Sequence, residues 1–217
     1  VALARFVGPA MSLAQKCISG RLITDNVLML DHKAHLASVF YTAACIILYD
    51  MRAAFPSVAH EYLWFILSIM GIPDEYISLI KKLYKANMQR IKMFGKFYTG
   101  PVFRSGVKQG DPLSMLLFAI AIEPLIRVLE SLVDIDEFVG AFADDIGIVI
   151  KNWEAFCPRL MELFVLFQNM SNLHLNISKC VFIPLWQATD LAAVQSRIAM
   201  VCPLWANFKV QFHGTYL

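Results

Sequence analysis

The sequence predicts an α+β fold, a sheet with helices packed on one face. Three observations carry that expectation. The chain has 217 residues, 58% of them hydrophobic and 17% charged, which suits one domain or two tightly joined ones with a large core. Short apolar runs of strand length mix with helical stretches, without regular βαβ alternation. No repeat or low-complexity linker divides them.

The elements follow in order. Residues 44–49 form a continuous apolar run, read as a buried strand that ends at Asp50. Residues 58–70 read as a buried helix closed by Gly71. Pro73, Asp74 and Glu75 open the next helix, with Tyr76, Ile77, Ile80, Leu83 and Tyr84 on one face. Lys81, Lys82 and Lys85 complement its C-terminal dipole. Residues 89–94 and 96–102, joined around Gly95, predict a hairpin. Asp111 then Pro112 marks a helix start, N-cap followed by N1. Leu113, Leu116, Leu117, Ile120, Leu125, Val128 and Leu129 continue it near the 3.6 period, with a kink expected at Pro124. Residues 141–142 and 146–150 flank Asp144 and Asp145 as strand, tight acidic turn and strand. Residues 153–170 are helical, 181–184 a short strand and 191–201 a helix.

Composition excludes a disordered chain. The mean hydropathy of +0.57 raises the question of a membrane. No stretch free of Asp, Glu, Lys and Arg reaches the roughly 18–20 apolar residues a spanning helix needs. The excess is read as core plus apolar faces that expect a neighbour. No membrane partner is expected, and no secretory signal is read at the start, so an intracellular, nuclear or cytoplasmic location is expected. A start at Val1 suggests a fragment. Cys17, Cys45, Cys157, Cys180 and Cys202 are odd in number and far apart, which argues against a disulfide framework and fits buried thiols in a reduced compartment. His32 and His35 could share a helix face, but no partner follows at zinc spacing.

The net charge is only +2. Its distribution says more. Lys81, Lys82, Lys85, Arg90, Lys92, Lys96, Arg104 and Lys108 form a run with no Asp or Glu among them, while the rest of the chain is net acidic. Such segregation gives a local positive surface that can track phosphates. Tyr84, Phe94, Phe97, Tyr98 and Phe103 interleave with it, and aromatic faces can pack on bases and sugars. A solvated helix end followed by an exposed hairpin would give the same pattern.

The acidic candidates are Asp50, Asp144 and Asp145, each where an apolar strand ends. A carboxylate there is costly unless solvated, hydrogen-bonded or bound to a cation, and adjacent carboxylates raise each other's pKa. A divalent cation removes that cost, and oxygen donors without His or Cys suit Mg²⁺ or Mn²⁺ rather than Zn²⁺. An ordinary hairpin turn and a helix cap are the alternative reading. Residues 106–114 (Gly-Val-Lys-Gln-Gly-Asp-Pro-Leu-Ser) bracket a Lys and a Gln with glycines that let backbone approach a ligand, or make a generic loop into a helix.

Together these residues resemble a reverse transcriptase, specifically the palm of non-LTR retrotransposon enzymes, in order across nearly the whole chain. Gln15 to Asn26 resembles the finger-side block. Residues 49–55 (Tyr-Asp-Met-Arg-Ala-Ala-Phe) resemble the first catalytic block, 106–114 the Gln-Gly-Asp-Pro-Leu-Ser block, and 142–145 (Phe-Ala-Asp-Asp) the paired-aspartate block. Residues 173–179 resemble the following block that ends in lysine, and 214–217 the first half of a primer grip. Pro56-Ser57 and Met115 depart from frequent family residues.

The resemblance implies a polymerase palm with a ferredoxin-like antiparallel sheet packed on helices. Residues 1–43 would be partial fingers, and 44–185 the palm, with a fingers-side helix and hairpin over about 73–105. Residues 186–217 would end the palm and begin the primer grip, with the thumb missing. It implies RNA-templated DNA synthesis from dNTPs, with RNA template and DNA primer as partners and the fingers and thumb of a parent polyprotein needed. The piece alone is expected to be incomplete for activity. Asp50 and Asp144 would hold two Mg²⁺ ions (Mn²⁺ as an alternative), with Asp145 assisting. Phe55 would crowd the sugar 2′ position. Gln109 and Gly110 would line the nucleotide pocket. Lys179 would neutralise or protonate the leaving pyrophosphate, and Arg21 would contact template or triphosphate. A copy that binds nucleic acid without catalysis is the rival reading, and another template-directed polymerase of similar palm the second.

Overall fold

The computed structural model describes residues 2–85, 88–102, 105–108, 110–187 and 190–213. The helices are α1 (Ala2–Val7), α2 (Ile23–Phe40), α3 (Ala54–Ser57), α4 (His60–Ile69), α5 (Asp74–Tyr84), α6 (Pro112–Leu132), α7 (Trp153–Ser171) and α8 (Leu191–Val201). The strands are β1 (Cys45–Tyr49), β2 (Met51–Arg52), β3 (Met88–Met93), β4 (Lys96–Val102), β5 (Phe138–Phe142), β6 (Asp145–Ile150), β7 (His174–Leu175), β8 (Val181–Pro184) and β9 (Lys209–Val210).

The main sheet has five strands in the order β5-β6-β1-β8-β9. β1 lies at its centre, antiparallel to β6 and to β8, and β9 adds a parallel edge. All five residues of β1 are buried. Its side chains alternate between two cores, as the period of two requires. Cys45, Ile47 and Tyr49 enter the larger core, with Leu117, Phe118, Ile120 and Leu125 of α6 and Leu160, Phe164 and Phe167 of α7. Ile46 and Leu48 enter a smaller one, with Leu30, Ala34 and Ala37 of α2. Helices therefore cover both faces of the sheet, a correction to the expectation of one covered face. Burial on both sides is also why the strand reads as one continuous apolar run rather than an alternating one.

Local chemistry sets the other boundaries. Asp111 caps α6 by accepting from the Leu113 N–H at 2.9 Å, and Pro112 occupies the first turn, where its missing donor costs nothing. The helix runs through Pro124 to Leu132. Asp190 caps α8 through the Ala192 N–H at 2.8 Å. β3 and β4 form the expected hairpin, turning on Phe94 and Gly95, both at positive φ. The helix expected over 58–70 begins later, at His60, after the separate turn of α3. On α5 the buried residues are Ile77, Ile80 and Tyr84, whereas Tyr76 and Leu83 are exposed, contrary to the face expected from spacing. Phe65 and Ile69 of α4 and Leu166 and Met170 of α7 are also exposed, so surface apolar groups contribute to the high mean hydropathy. Among the described residues no helix is long and apolar enough to cross a membrane.

Ile47 is fully buried at the sheet centre. Ile47→Ala is expected to lower stability by about 2–5 kcal/mol, whereas Phe65→Ser on the exposed face should stay within about 0.5 kcal/mol, both read by thermal or denaturant unfolding.

Candidate active site

The site forms where the β1–β6 ladder ends. Its last registered pair is Tyr49 with Ile146. The next residues, Asp50 and Asp145, therefore stand across from one another at the strand ends. On the other side of β6, Phe142 pairs with Asp145, so the β5–β6 hairpin turns on Ala143 and Asp144 alone. Ala143 has φ 54°, the positive value that a two-residue hairpin turn asks of its first central residue. For a residue with a Cβ that conformation costs about 1–2 kcal/mol. The three carboxylates marked in the sequence thus converge.

Their electrostatics record the crowding. Burial, then the charges of Asp144 and Asp50, push the Asp145 carboxyl up to about 6, with Lys179 opposing. Burial also raises Asp144, its own backbone N–H opposes that shift, and the Asp50 charge adds to it. The ammonium of Lys179 lies 3.9 Å from Asp50 Oδ1. It is brought there by a turn after β7, in which the Asn176 N–H donates to Asp50 O and the Lys179 N–H to Asn176 O, both at 2.8 Å. Cys180 lies behind Asp50, its Sγ 3.5 Å from the Asp50 nitrogen. Burial pushes this thiol up to about 12, so at neutral pH it is an inert packing group.

Among the described residues, no three His, Cys, Asp or Glu side chains are placed to hold a metal ion between them. The donor chemistry nevertheless fits a hard cation that the protein holds only in part. Mg²⁺ commonly takes one or two protein carboxylates and leaves its other positions to water and substrate phosphates. Asp50 and Asp144 are carboxylates of the kind such a partial shell would draw on.

A second packed unit follows Asp50 along the chain. Ala53, at φ 46°, opens the turn of α3. It directs Phe55 onto Phe118, with ring centroids 4.7 Å apart and planes 20° from parallel. The Val107 N–H donates to Phe55 O and the Gly106 N–H to Val58 O, both at 2.7 Å, and His60 Nε2 lies 2.8 Å from Gly106 O. Gly106 has φ 83°, and a Cβ there would lie 2.4 Å from Pro56 O, so this close strap requires glycine. It carries the Gly106–Lys108 segment alongside Phe55. Gly110 is exposed at φ 86°. Gln109, Arg104 and the 214–217 block lie outside the described residues.

Of the basic run, Lys81, Lys82 and Lys85 are exposed at the end of α5, and Arg90, Lys92 and Lys96 on the hairpin. Lys92 Nζ sits 5.8 Å from the centre of the Phe97 ring, and Phe94 at the hairpin tip is fully exposed. Lys108 packs back onto Tyr84, 5.6 Å from its ring centre. Arg21 is engaged within the chain. Its guanidinium donates to the carbonyls of Gln15 at 2.7 Å, Met11 at 3.0 Å and Gly8 at 3.1 Å, and also to Ser12. It is spent on folding the chain over residues 8–16 and lines a cavity of about 810 Å³ with Arg5, Cys17, Met115 and Leu116.

That 8–16 segment is what sequence reasoning missed. It lies along β5, with the Lys16 N–H donating to Ala141 O at 2.8 Å and the Ala141 N–H to Ala14 O at 2.9 Å. Buried polar side chains hold it. Glu123 of α6 accepts from the Ser12 N–H at 2.7 Å, and Asn26 of α2 donates to Ala14 O at 2.8 Å and Ala141 O at 3.1 Å. The only prior signal was that Gln15 and Asn26 bound the finger-side block.

A family model described as reverse transcriptase (RNA-dependent DNA polymerase) matches residues 12–201. The chain is similar to the transposon TX1 uncharacterized 149 kDa protein of Xenopus laevis, 26% identical over 99% of this chain and 16% of that protein. It is also similar to the retrovirus-related Pol polyprotein from type-2 retrotransposable element R2DM of Drosophila melanogaster, 30% identical over 76% of this chain and 15% of that one. The chain therefore spans about a sixth of the length of these relatives. Among solved structures, apo telomerase from Candida tropicalis superposes with a TM-score of 0.61 at 11% identity, over 83% of this chain and 35% of that one. Telomerase from the same organism in complex with a TWJ fragment of telomeric RNA gives 0.58 at 14% identity, over 74% and 29%. At such identities the likeness shows the fold alone, a palm-like mixed fold on an antiparallel sheet.

The raised carboxyls have a measurable consequence. The folded chain keeps protons that the unfolded chain, titrating near 3.8, has released. The resulting destabilisation is full above about pH 6 and fades as the pH falls through about 6 towards 3.8. In chelator, Asp145→Asn is expected to raise the thermal midpoint at pH 7 and to make much less difference near pH 4.5; an unchanged midpoint at pH 7 would contradict the crowding.

Proposed function

The chain belongs to the reverse transcriptase (RNA-dependent DNA polymerase) family, and from that premise we propose that it is the palm-centred polymerising core of a non-LTR retroelement enzyme, extending a primer 3′-hydroxyl with deoxynucleotides on an RNA template. The observation that supports the proposal is the strand register that sets Asp50 across from Asp145, with Asp144 next to it in the turn.

In this reading Asp50 and Asp144 hold two divalent ions, Mg²⁺ or in its place Mn²⁺, and Asp145 assists. When bound, the ions would lower the pKa of the attacking 3′-hydroxyl and neutralise charge gathering on the α-phosphate. The new bond joins the primer 3′ oxygen to the α-phosphorus, and the bond to pyrophosphate breaks in line. Lys179, paired with Asp50 in the free protein, turns its ammonium to the departing pyrophosphate and neutralises or protonates it. Phe55, held by Phe118, crowds the sugar 2′ position and admits deoxynucleotides. Backbone after Asp50, with Gln109 and Gly110, lines the nucleotide pocket. Lys81, Lys82, Lys85, Arg90, Lys92, Lys96, Arg104 and Lys108 track the phosphates of template and primer, with Phe94 and Phe97 available for stacking.

We assign residues 1–43 to the fingers side, 44–185 to the palm and 186–217 to the approach to the primer grip, with fingers and thumb of a parent polyprotein completing the enzyme. We propose that it works inside the cell, in nucleus or cytoplasm, where RNA and dNTPs meet.

Primer extension on an RNA template with Mg²⁺, run on this chain and on a longer chain carrying fingers and thumb, tests the reading. Synthesis is expected mainly from the longer chain. Asp144→Asn in it should lower the rate at least about a thousandfold, the scale of losing several kcal/mol of charge stabilisation. Retained synthesis would remove the metal assignment, and template binding without synthesis by the unaltered protein would favour the non-catalytic rival. Phe55→Ala should raise ribonucleotide incorporation relative to deoxynucleotide, measured as the ratio of kcat/KM values; an unchanged ratio would remove Phe55 from sugar selection.

A further inference from the structure

We propose that Gln15 is a positioning residue for the acidic hairpin: its buried amide holds Ala143 in the left-handed conformation that sets where Asp144 stands. The geometry of the clamp is independent of the polymerase reading; its consequence for metal binding rests on that reading.

Gln15 is fully buried. Its Oε1 accepts from the Ala143 N–H at 3.0 Å, and its Nε2 donates to the Ala143 carbonyl at 3.4 Å. One planar amide thus satisfies both backbone groups of the residue in the turn that carries a disfavoured φ. The Cys17 thiol also meets the Ala143 backbone and the Asp144 carboxyl its own N–H, but the Gln15 amide is the side chain that bonds both the N–H and the carbonyl of Ala143. Positions of this kind normally carry Gly, Asn or Asp. Ala143 has a Cβ and is buried, so the clamp supplies what a glycine would supply without help. The next peptide is that of Asp144, so its Cα and the origin of its carboxylate follow from the torsions of Ala143.

The clamp is separable from the support of the segment that bears it. Backbone bonds of Ala14 and Lys16 to Ala141, Asn26 from α2, Glu123 from α6 and the Arg21 guanidinium all hold residues 8–16 without the Gln15 side chain. Its Oε1 also accepts from the Cys17 N–H at 2.9 Å, which fixes the amide plane from behind. Removing the amide therefore frees the turn while leaving the strap on the sheet edge.

The test uses the full chain with Gln15→Met, which keeps side-chain length and loses both bonds, and Gln15→Glu, which keeps the acceptor and loses the donor. Each is made with and without Ala143→Gly. Two readouts need no catalysis: amide hydrogen exchange across residues 142–146 without metal, and Mn²⁺ affinity by electron paramagnetic resonance. Gln15→Met is expected to speed exchange and to weaken Mn²⁺ binding about tenfold, corresponding to about 1.4 kcal/mol. Gln15→Glu should fall between. Adding Ala143→Gly to Gln15→Met should recover most of both losses, because glycine holds positive φ unaided. Unchanged exchange and affinity in a folded Gln15→Met protein would overturn the proposal. So would a loss that Ala143→Gly fails to recover, which would make Gln15 a packing residue only. If Gln15→Met does not fold, the Gln15→Glu pair decides by the same criteria. An unaltered protein that binds no Mn²⁺ would count against the polymerase reading, while the exchange comparison would still decide the role of Gln15.

Discussion

Antiparallel pairing of β1 with β6 forces carboxylates together at the point where the sheet stops burying apolar side chains. A slip of one residue would turn every β1 side chain to the opposite face. Both faces of β1 are occupied, Ile47 and Tyr49 by one core and Ile46 and Leu48 by the other. The register is therefore set by hydrophobic burial, and the position of Asp50 opposite Asp145 is its by-product. Apolar packing thus determines where charges that repel each other must sit.

The rest of the site manages that conflict. Lys179 offers a partial countercharge to Asp50, and burial, with the neighbouring carboxylate charges added, raises the two hairpin carboxyls. Both carboxylate-bearing segments carry a left-handed alanine, Ala53 three residues after Asp50 and Ala143 one before Asp144. Strain of this sort persists only where the surroundings over-determine it, and it gathers at sites whose geometry matters. Around Ala53 the constraint comes from the Phe55–Phe118 stack and the close passage of Gly106 by Pro56. Around Ala143 it comes from a segment more than a hundred residues away in sequence.

Much of this was legible in the sequence because it is local. Apolar runs ended at Asp50 and flanked Asp144–Asp145, and Asp111–Pro112 announced a helix that begins at Pro112. The covering of the sheet's second face was not legible. On α2 the buried positions are Asn26, Leu30, Ala34 and Ala37, while Leu28, Met29, Val39 and Phe40 are exposed, so hydrophobicity does not mark its packed face. The two-residue strands β2, β7 and β9 are too short to show a period. Gln15, Asn26 and Glu123 are buried because each finds a backbone partner far along the chain. Side-chain type alone predicts such residues at the surface. The carbonyls that Arg21 serves were equally illegible, since a guanidinium can serve carbonyls as well as phosphates.

In the proposed function a shared cation would offset the repulsion between Asp50 and Asp144. Anomalous diffraction from crystals of a longer chain bound to RNA template, DNA primer and dNTP in Mn²⁺ tests it most directly. The account predicts manganese peaks bounded by the Asp50 and Asp144 carboxylates, with Lys179 displaced from Asp50. A ternary complex whose manganese lies elsewhere, with Lys179 still on Asp50, would contradict it.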